Sequence, residues 1–383
     1  MVYSVDREAR SCGFPTKVGV TQRLCNTMDY YYLAPHLNIS GGIKTLATHV
    51  SLLRNHGENA WLVNCGESRE PWCKALQEVI PYILPLSRFL TKNRNEEKVI
   101  VVPEVCPPFI HIIHKERREW RESIFVLLVL NWHYSDLFWG TTKVSSRSGS
   151  HRPRSFNLPA VLRRGLSFRR SVKRFGFHAI LTNSEFSRRW VRRRLSYDPV
   201  VIPSGIDRDI FFEKEEERET SRILFIGDKN QTEIDRVKPE LLKIPSVQLS
   251  HAKDFNENEM ATEYRKSDIF LAFGKYEGLP RTVLEAMASG CVVVGYDGGG
   301  GKDFMKHRKT AMVARKKGDI LKYSIELISN HALKERVRQG GKQASSRYTL
   351  EAQSRSLLAT FQTVQRAMLS GSLSMKRDLH TFC

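Results

Sequence analysis

Residues 269–303 read IFLAFGKYEGLPRTVLEAMASGCVVVGYDGGGGKD, and the fold follows from them. Residues 269–273 (IFLAF) form an apolar run of strand length. The turn Gly278-Leu279-Pro280 breaks the strand pattern, and a helix is expected over 281–289 with Gly290 as its stop. Residues 291–295 (CVVVG) are the next strand. A strand that returns through a helix lies parallel to the one it left, so this stretch is a βαβ unit.

The same alternation continues outward. Strands are expected at 222–226 (RILFI) and 247–250, and, earlier, at 60–64, 99–103, 124–130, 179–183 and 200–203. The stretch 124–132 (IFVLLVLNW) is the most apolar, but far short of the ~20 residues that span a bilayer. It reads as a strand buried on both faces, as in a parallel sheet. Residues 43–55 carry Leu46, Val50 and Leu53 at helical spacing, and Asn183 or Ser184 caps a helix with Glu185 in its first turn. The charged run EKEEERET (213–220) separates the two sets. The expected fold class is therefore α/β with two Rossmann-like parallel-sheet domains. The expected division is a poorly ordered segment 1–27, a first domain 28–204, a second domain 205–345, a final helix 346–370 and a tail 371–383. Residues 141–158 read as an irregular loop.

Length and composition agree. With 383 residues the chain has room for two domains, and its 41% hydrophobic content supplies real cores. That excludes a small stapled scaffold and a disordered chain. The seven cysteines are odd in number and include no C-x-x-C pair, so neither a disulfide framework nor a zinc site is expected. Reduced thiols and an N-terminus without a signal-type apolar run suggest a cytoplasmic protein. Net charge is +20, which points to an anionic partner. Residues 141–200 hold 15 Lys/Arg against Glu185 and Asp198, a net +13. The clusters include Arg163-Arg164, Arg169-Arg170, Lys173-Arg174, Arg188-Arg189 and Arg192-Arg193-Arg194. They are read either as solvated helix faces or as a contact for an anionic membrane or substrate. No nucleic-acid-binding motif accompanies them, and nucleic acid is not an expected partner.

The chemistry is expected at the carboxyl end of the 269–273 strand, where open α/β sheets bind ligands and helix N-termini offer free N–H groups. Glu277 precedes the Gly-Leu-Pro turn, and Glu285 follows eight residues later inside the helix. Two glutamates at that spacing carry little weight alone. The whole string E-G-L-P-x4-E-A-M-A-S-G-x2-V-V is far more specific. It resembles the E-x7-E signature of the retaining GT-B glycosyltransferases, especially glycosyltransferase family 4. The segments around Ser184–Phe186 and Pro203–Asp207 resemble that family's interdomain region, and the last helix resembles the one that crosses back to the first domain.

The resemblance implies a nucleotide diphosphosugar donor, a saccharide or lipid-linked acceptor, retention at the anomeric carbon and no bound metal or other cofactor. It implies that Glu277 holds donor sugar hydroxyls, Glu285 the ribose, and Lys229 the diphosphate. Gly41 and Gly42, which open the first helix, would face the diphosphate, and Gly278, Leu279, Pro280, Arg281 and Thr282 would line the donor site. His133, after the 124–130 strand, would stand near the transferred sugar. One position departs from the pattern: Asp228 stands where an arginine is expected, beside Lys229. Lys44, Arg281 or Lys302 would have to compensate. The alternatives left open are a nucleotide-sugar-binding protein with impaired catalysis, a sugar-nucleotide epimerase of the same fold and a nucleic-acid-binding protein. The glycine run 298–301 suits either close approach of the donor or a flexible loop.

Overall fold

A computed structural model describes residues 28–91, 97–105, 120, 123–132, 172–173, 175–227 and 229–369. His133, Asp228, the loop 141–158, the arginine pairs at 163–170, both termini and the residues between these segments lie outside the described residues.

The first unit runs β1 (Asp29–Ala34), α1 (Gly41–Asn55), β2 (Asn59–Asn64), α2 (Lys74–Val79), β3 (Ile83–Pro85), α3 (Leu86–Thr91), β4 (Lys98–Pro103), β5 (Ser123–Val129), β6 (Ala179–Thr182), α4 (Glu185–Leu195) and β7 (Val200–Val201). Among the described residues its seven strands are all parallel, in the order β3-β2-β1-β4-β5-β6-β7. The second unit runs β8 (Glu219–Ile226), α5 (Gln231–Leu242), β9 (Gln248–Ala252), α6 (Glu257–Lys266), β10 (Ser267–Ala272), α7 (Arg281–Ala288), β11 (Val292–Gly295), β12 (Met312–Val313), α8 (Asp319–Ser329) and α9 (His331–Ser345). Its five strands are also all parallel, in the order β12-β11-β10-β8-β9. A last helix, α10 (Leu350–Leu369), follows.

Each sheet is buried on both faces. In the first, Tyr30, Tyr32 and Ala34 face a core with α1, α2 and α10, while Tyr31 and Leu33 face a core with α3 and α4. β1 is thus the strand at which the order reverses, although the expected strands did not include it. Three consecutive tyrosines show no polar-to-apolar alternation, and only the two-sided burial makes all three interior. In the second sheet, α6 and α7 cover one face and α5, α8 and α9 the other.

The helix α10 crosses back to the first sheet. Leu357 and Phe361 are buried in the core under α1, and the Phe361 ring lies 4.8 Å from that of Tyr30. Gln365 donates to the Tyr30 hydroxyl at 2.8 Å. The segment that leaves the first sheet is pinned to the start of this helix: the Gly205 N–H donates to Gln353 at 2.7 Å, and Ile206 pairs with Thr349. Among the described residues, no helix is long and apolar enough to cross a membrane.

In both sheets the strand order reverses once, between β1 and β4 and between β8 and β10. The carboxyl ends at these reversals are where open α/β sheets hold ligands.

Candidate active site

The loops at the carboxyl ends of the two sheets meet. Ser184 accepts from the Ser187 N–H as N-cap of α4, and its hydroxyl also donates to the Gly278 carbonyl at 2.6 Å. Asn183 donates to the Leu130 carbonyl at 2.9 Å, and Asn131 donates to the Tyr276 carbonyl at 3.2 Å. The loops after β5 and β6 are thereby stitched to the loop after β10. Gly278 sits so close to Leu130 that a Cβ there would lie 1.7 Å from the Leu130 oxygen. Trp132, Phe186, Trp190 and Tyr276 gather at this seam, with Trp132 within 5.7–6.1 Å of the other three rings.

On the second-sheet side, Glu277 and Lys229 are brought together as an ion pair, although they are 48 residues apart in the chain. Lys229 follows β8 and Glu277 follows β10, the two strands at the reversal. Lys229 is 63% exposed and the Glu277 side chain 20%, so the pair borders solvent. The Glu277 backbone is clasped by the glycine run: its N–H donates to Gly298 O at 2.7 Å, and Gly300 N–H donates to its carbonyl at 3.0 Å. A Cβ at Gly300 would lie 1.6 Å from Gly278 O, and one at Gly299, whose φ is +97°, would lie 2.6 Å from the Phe186 ring. The glycines are needed because protein backbone and rings approach them closely, so the reading as a flexible loop is corrected.

The N-cap of α7 is Pro280, which offers no capping side chain. Leu279 and Pro280 are buried and Thr282 is exposed. Across the seam, α1 is capped by Ser40, whose hydroxyl accepts from Ile43 N–H at 3.1 Å. Gly41 is exposed, with nothing within 4 Å of where a side chain would start, and Gly42 has only ordinary contacts there.

Glu285 is buried where α7 meets α1. Its Oε1 takes Lys44 Nζ at 2.6 Å, with Arg281 Nε 4.0 Å away. Lys44 also meets Glu257 Oε1 at 2.5 Å. Lys44 is therefore spent on two carboxylates, and its expected service as a spare cation is corrected. Arg281 is buried against α1, 3.5 Å from Thr45 Oγ1, and its Nε has no hydrogen-bond partner among the described residues. Burial, reinforced by Arg281, lowers the imidazole of His49 to about 3, so this histidine is neutral at physiological pH. The Lys302 ammonium lies 5.1 Å from the Phe186 ring centroid.

Sequence reasoning missed Glu104, which follows β4. It is fully buried and accepts from the N–H groups of Leu130 at 3.1 Å and Asn131 at 2.7 Å. Burial pushes its carboxyl up to about 7, against the pull of those two N–H groups. A lone glutamate after a strand carries no sequence signal. Glu257 was missed for the same reason, being one of several acidic residues at a helix start.

Residues 212–344 match the family model described as Glycosyl transferases group 1. Among curated proteins, an alpha-1,6-glucosyltransferase of Actinobacillus pleuropneumoniae serotype 7 (strain AP76) is 34% identical over 104 residues, 26% of this chain and 32% of that protein. The chain thus spans about a third of the curated relative it matches. A sucrose-phosphate synthase from Thermosynechococcus elongatus superposes with a TM-score of 0.64 at 10% identity, covering 89% of this chain and 100% of that one. Anabaena Alr3699/HepE, solved with UDP and glucose, superposes with a TM-score of 0.63 at 11% identity, covering 88% of this chain and 100% of that one. The fold is GT-B. Glu277 and Lys229 stand at the carboxyl end of the second sheet, in the loops after β10 and β8.

Proposed function

We propose that this protein is a retaining, metal-independent glycosyltransferase of the family 4 type, moving a sugar from a nucleotide diphosphosugar to an acceptor hydroxyl in polysaccharide or glycolipid synthesis. The observation that carries the reading is the Glu277–Lys229 pair at the strand reversal, inside the segment that matches the group 1 model. In this reading Lys229 and the Gly41-Gly42 end of α1 meet the diphosphate, with Arg281 as the second cation. Glu277 orients the sugar hydroxyls, and Glu285 takes the ribose. Gly278, Leu279, Pro280 and Thr282 shape the donor wall, and His133 contacts the sugar. The bond from the anomeric carbon to the diphosphate breaks with its electron pair going to the diphosphate. The acceptor oxygen bonds the same face of that carbon as its proton leaves to the departing phosphate oxygen. Cations and oriented N–H groups favour this route by stabilising charge that develops on the diphosphate.

The test is a panel of UDP-, GDP- and dTDP-sugars, read first by thermal shift and then by turnover. One donor class should raise Tm by mass action and be consumed, with consumption abolished in Glu277→Ala. No stabilisation by any donor refutes the reading. A second reading, a nucleotide-sugar-binding protein with impaired catalysis, is favoured by the engagement of Lys44 and Lys229 with carboxylates. Stabilisation without turnover selects it.

The exposed Lys173 and the exposed Arg189, Arg192, Arg193 and Arg194 of α4 belong to the described part of the basic region. We assign them to peripheral docking of a cytoplasmic enzyme on an anionic membrane or a lipid-phosphate-linked acceptor. Vesicles containing anionic lipid should co-sediment the protein, and charge reversal at these arginines should release it. Equal binding to neutral vesicles refutes the assignment.

A further inference from the structure

The buried ion cluster around Lys44 crosses from one sheet unit to the other. Lys44 springs from the first turn of α1, while its partners Glu257 and Glu285 start α6 and lie within α7. Glu257 uses its other oxygen for the Lys74 N–H at 2.8 Å, its own N–H donates to Trp72 O at 3.0 Å, and Lys74 Nζ reaches Asp207 at 2.9 Å. Lys44, Glu257 and Glu285 are each less than 9% exposed. Buried ion pairs are poor devices for stability alone, because desolvation offsets much of their attraction. Here the lysine extends from α1 to two carboxylates and lies 4.8 Å from the Phe211 ring centroid, so its charge is turned toward the second unit.

We propose that Lys44 is a positioning residue for nucleotide recognition: it holds the Glu285 carboxylate from the opposite domain, so that the ribose contact is complete only while the domains are closed. The inference rests on the reading of Glu285 as the ribose ligand. A carboxylate has about four lone-pair sites, so Oε1 engaged by Lys44 leaves Oε2 to accept from ribose hydroxyls. A glutamate without that tether keeps its rotamer freedom and loses its aim. Glu257 anchors the other side of the Lys44 ammonium and ties α2 into the same closed arrangement.

The experiment compares affinities for UDP and 2′-deoxy-UDP, and for GDP and 2′-deoxy-GDP, in the full chain. In the parent, the ribonucleotide binds more tightly. Lys44→Met should abolish that preference, the ribonucleotide losing more affinity than the deoxy form, and Glu285→Gln should do the same. If Lys44→Met keeps the preference and Glu285→Gln loses it, the reading of Glu285 stands and the role of Lys44 is overturned. If Glu285→Gln keeps the preference, the reading of Glu285 itself fails and takes the inference with it. Should Lys44→Met not fold, Lys44→Gln retains a donor of similar length. It should show a reduced preference, and an unchanged one overturns the proposal.

Discussion

Replacing Gly278 by alanine tests whether the seam between the sheets must close for activity. The new Cβ would stand 1.7 Å from the Leu130 oxygen, whereas such contacts essentially never fall below 3.0 Å, so the loops must part by about 1.3 Å. The Gly278 φ lies outside the left-handed region, and the cost therefore comes from the opposing loop rather than from local backbone strain. Leu130 is backbone on a stitched segment and cannot swing aside as a side chain could. Misplacing reacting groups by about 1 Å costs on the order of 10²-fold in rate, or ~2.7 kcal/mol of transition-state stabilisation. We expect kcat/KM for donor consumption to fall by about that factor. Affinity for the nucleotide diphosphate should fall far less, because Lys229 and Glu277 remain on their own sheet. The assay is steady-state release of nucleoside diphosphate, with Tm recorded alongside. Activity within about threefold of the parent at an unchanged Tm would refute the argument.

Three further outcomes follow from other contacts. Lys229→Met should leave Tm nearly unchanged, because an ion pair with a 63% exposed lysine contributes at most ~1 kcal/mol, yet it should depress turnover; a large Tm loss with full turnover would contradict it. Glu104 holds its proton in the folded state up to about pH 7 but releases it near 4.5 when unfolded, so its contribution to stability falls as pH rises through that window, by roughly 3 kcal/mol. Glu104→Gln should flatten the dependence of Tm on pH between those values, and an unaltered slope counts against the assignment. Asp268, buried with Lys334 at 2.7 Å and Arg338 at 2.6 Å, holds α9 to β10; Asp268→Asn should cost roughly 3–5 kcal/mol in denaturant unfolding, and a loss below about 1 kcal/mol would show the cluster to be dispensable.

Much of the fold was legible because parallel strands leave a local mark. Apolar runs such as 124–130 and 291–295 became β5 and β11 within one or two residues, and Ser184 proved to be the N-cap among the two proposed. α1 begins at Gly41, two residues before the expected start, since Ser40 supplies the cap. β1 escaped notice because its tyrosines are interior only once two helical layers cover both faces. Glu104 and Glu257 escaped because their roles are defined by backbone and charge partners distant in the chain.

The chain by itself determined the βαβ alternation, the two sheets and the E-x7-E segment, because apolar period, caps and glycine turns act over a few residues. Only the tertiary structure decided that Lys229 meets Glu277, that Lys44 is spent on Glu257 and Glu285, and that the glycine run clasps the Glu277 turn. Those pairings join residues up to 241 positions apart. Their geometry depends on how two sheets settle against each other, and no local pattern encodes it.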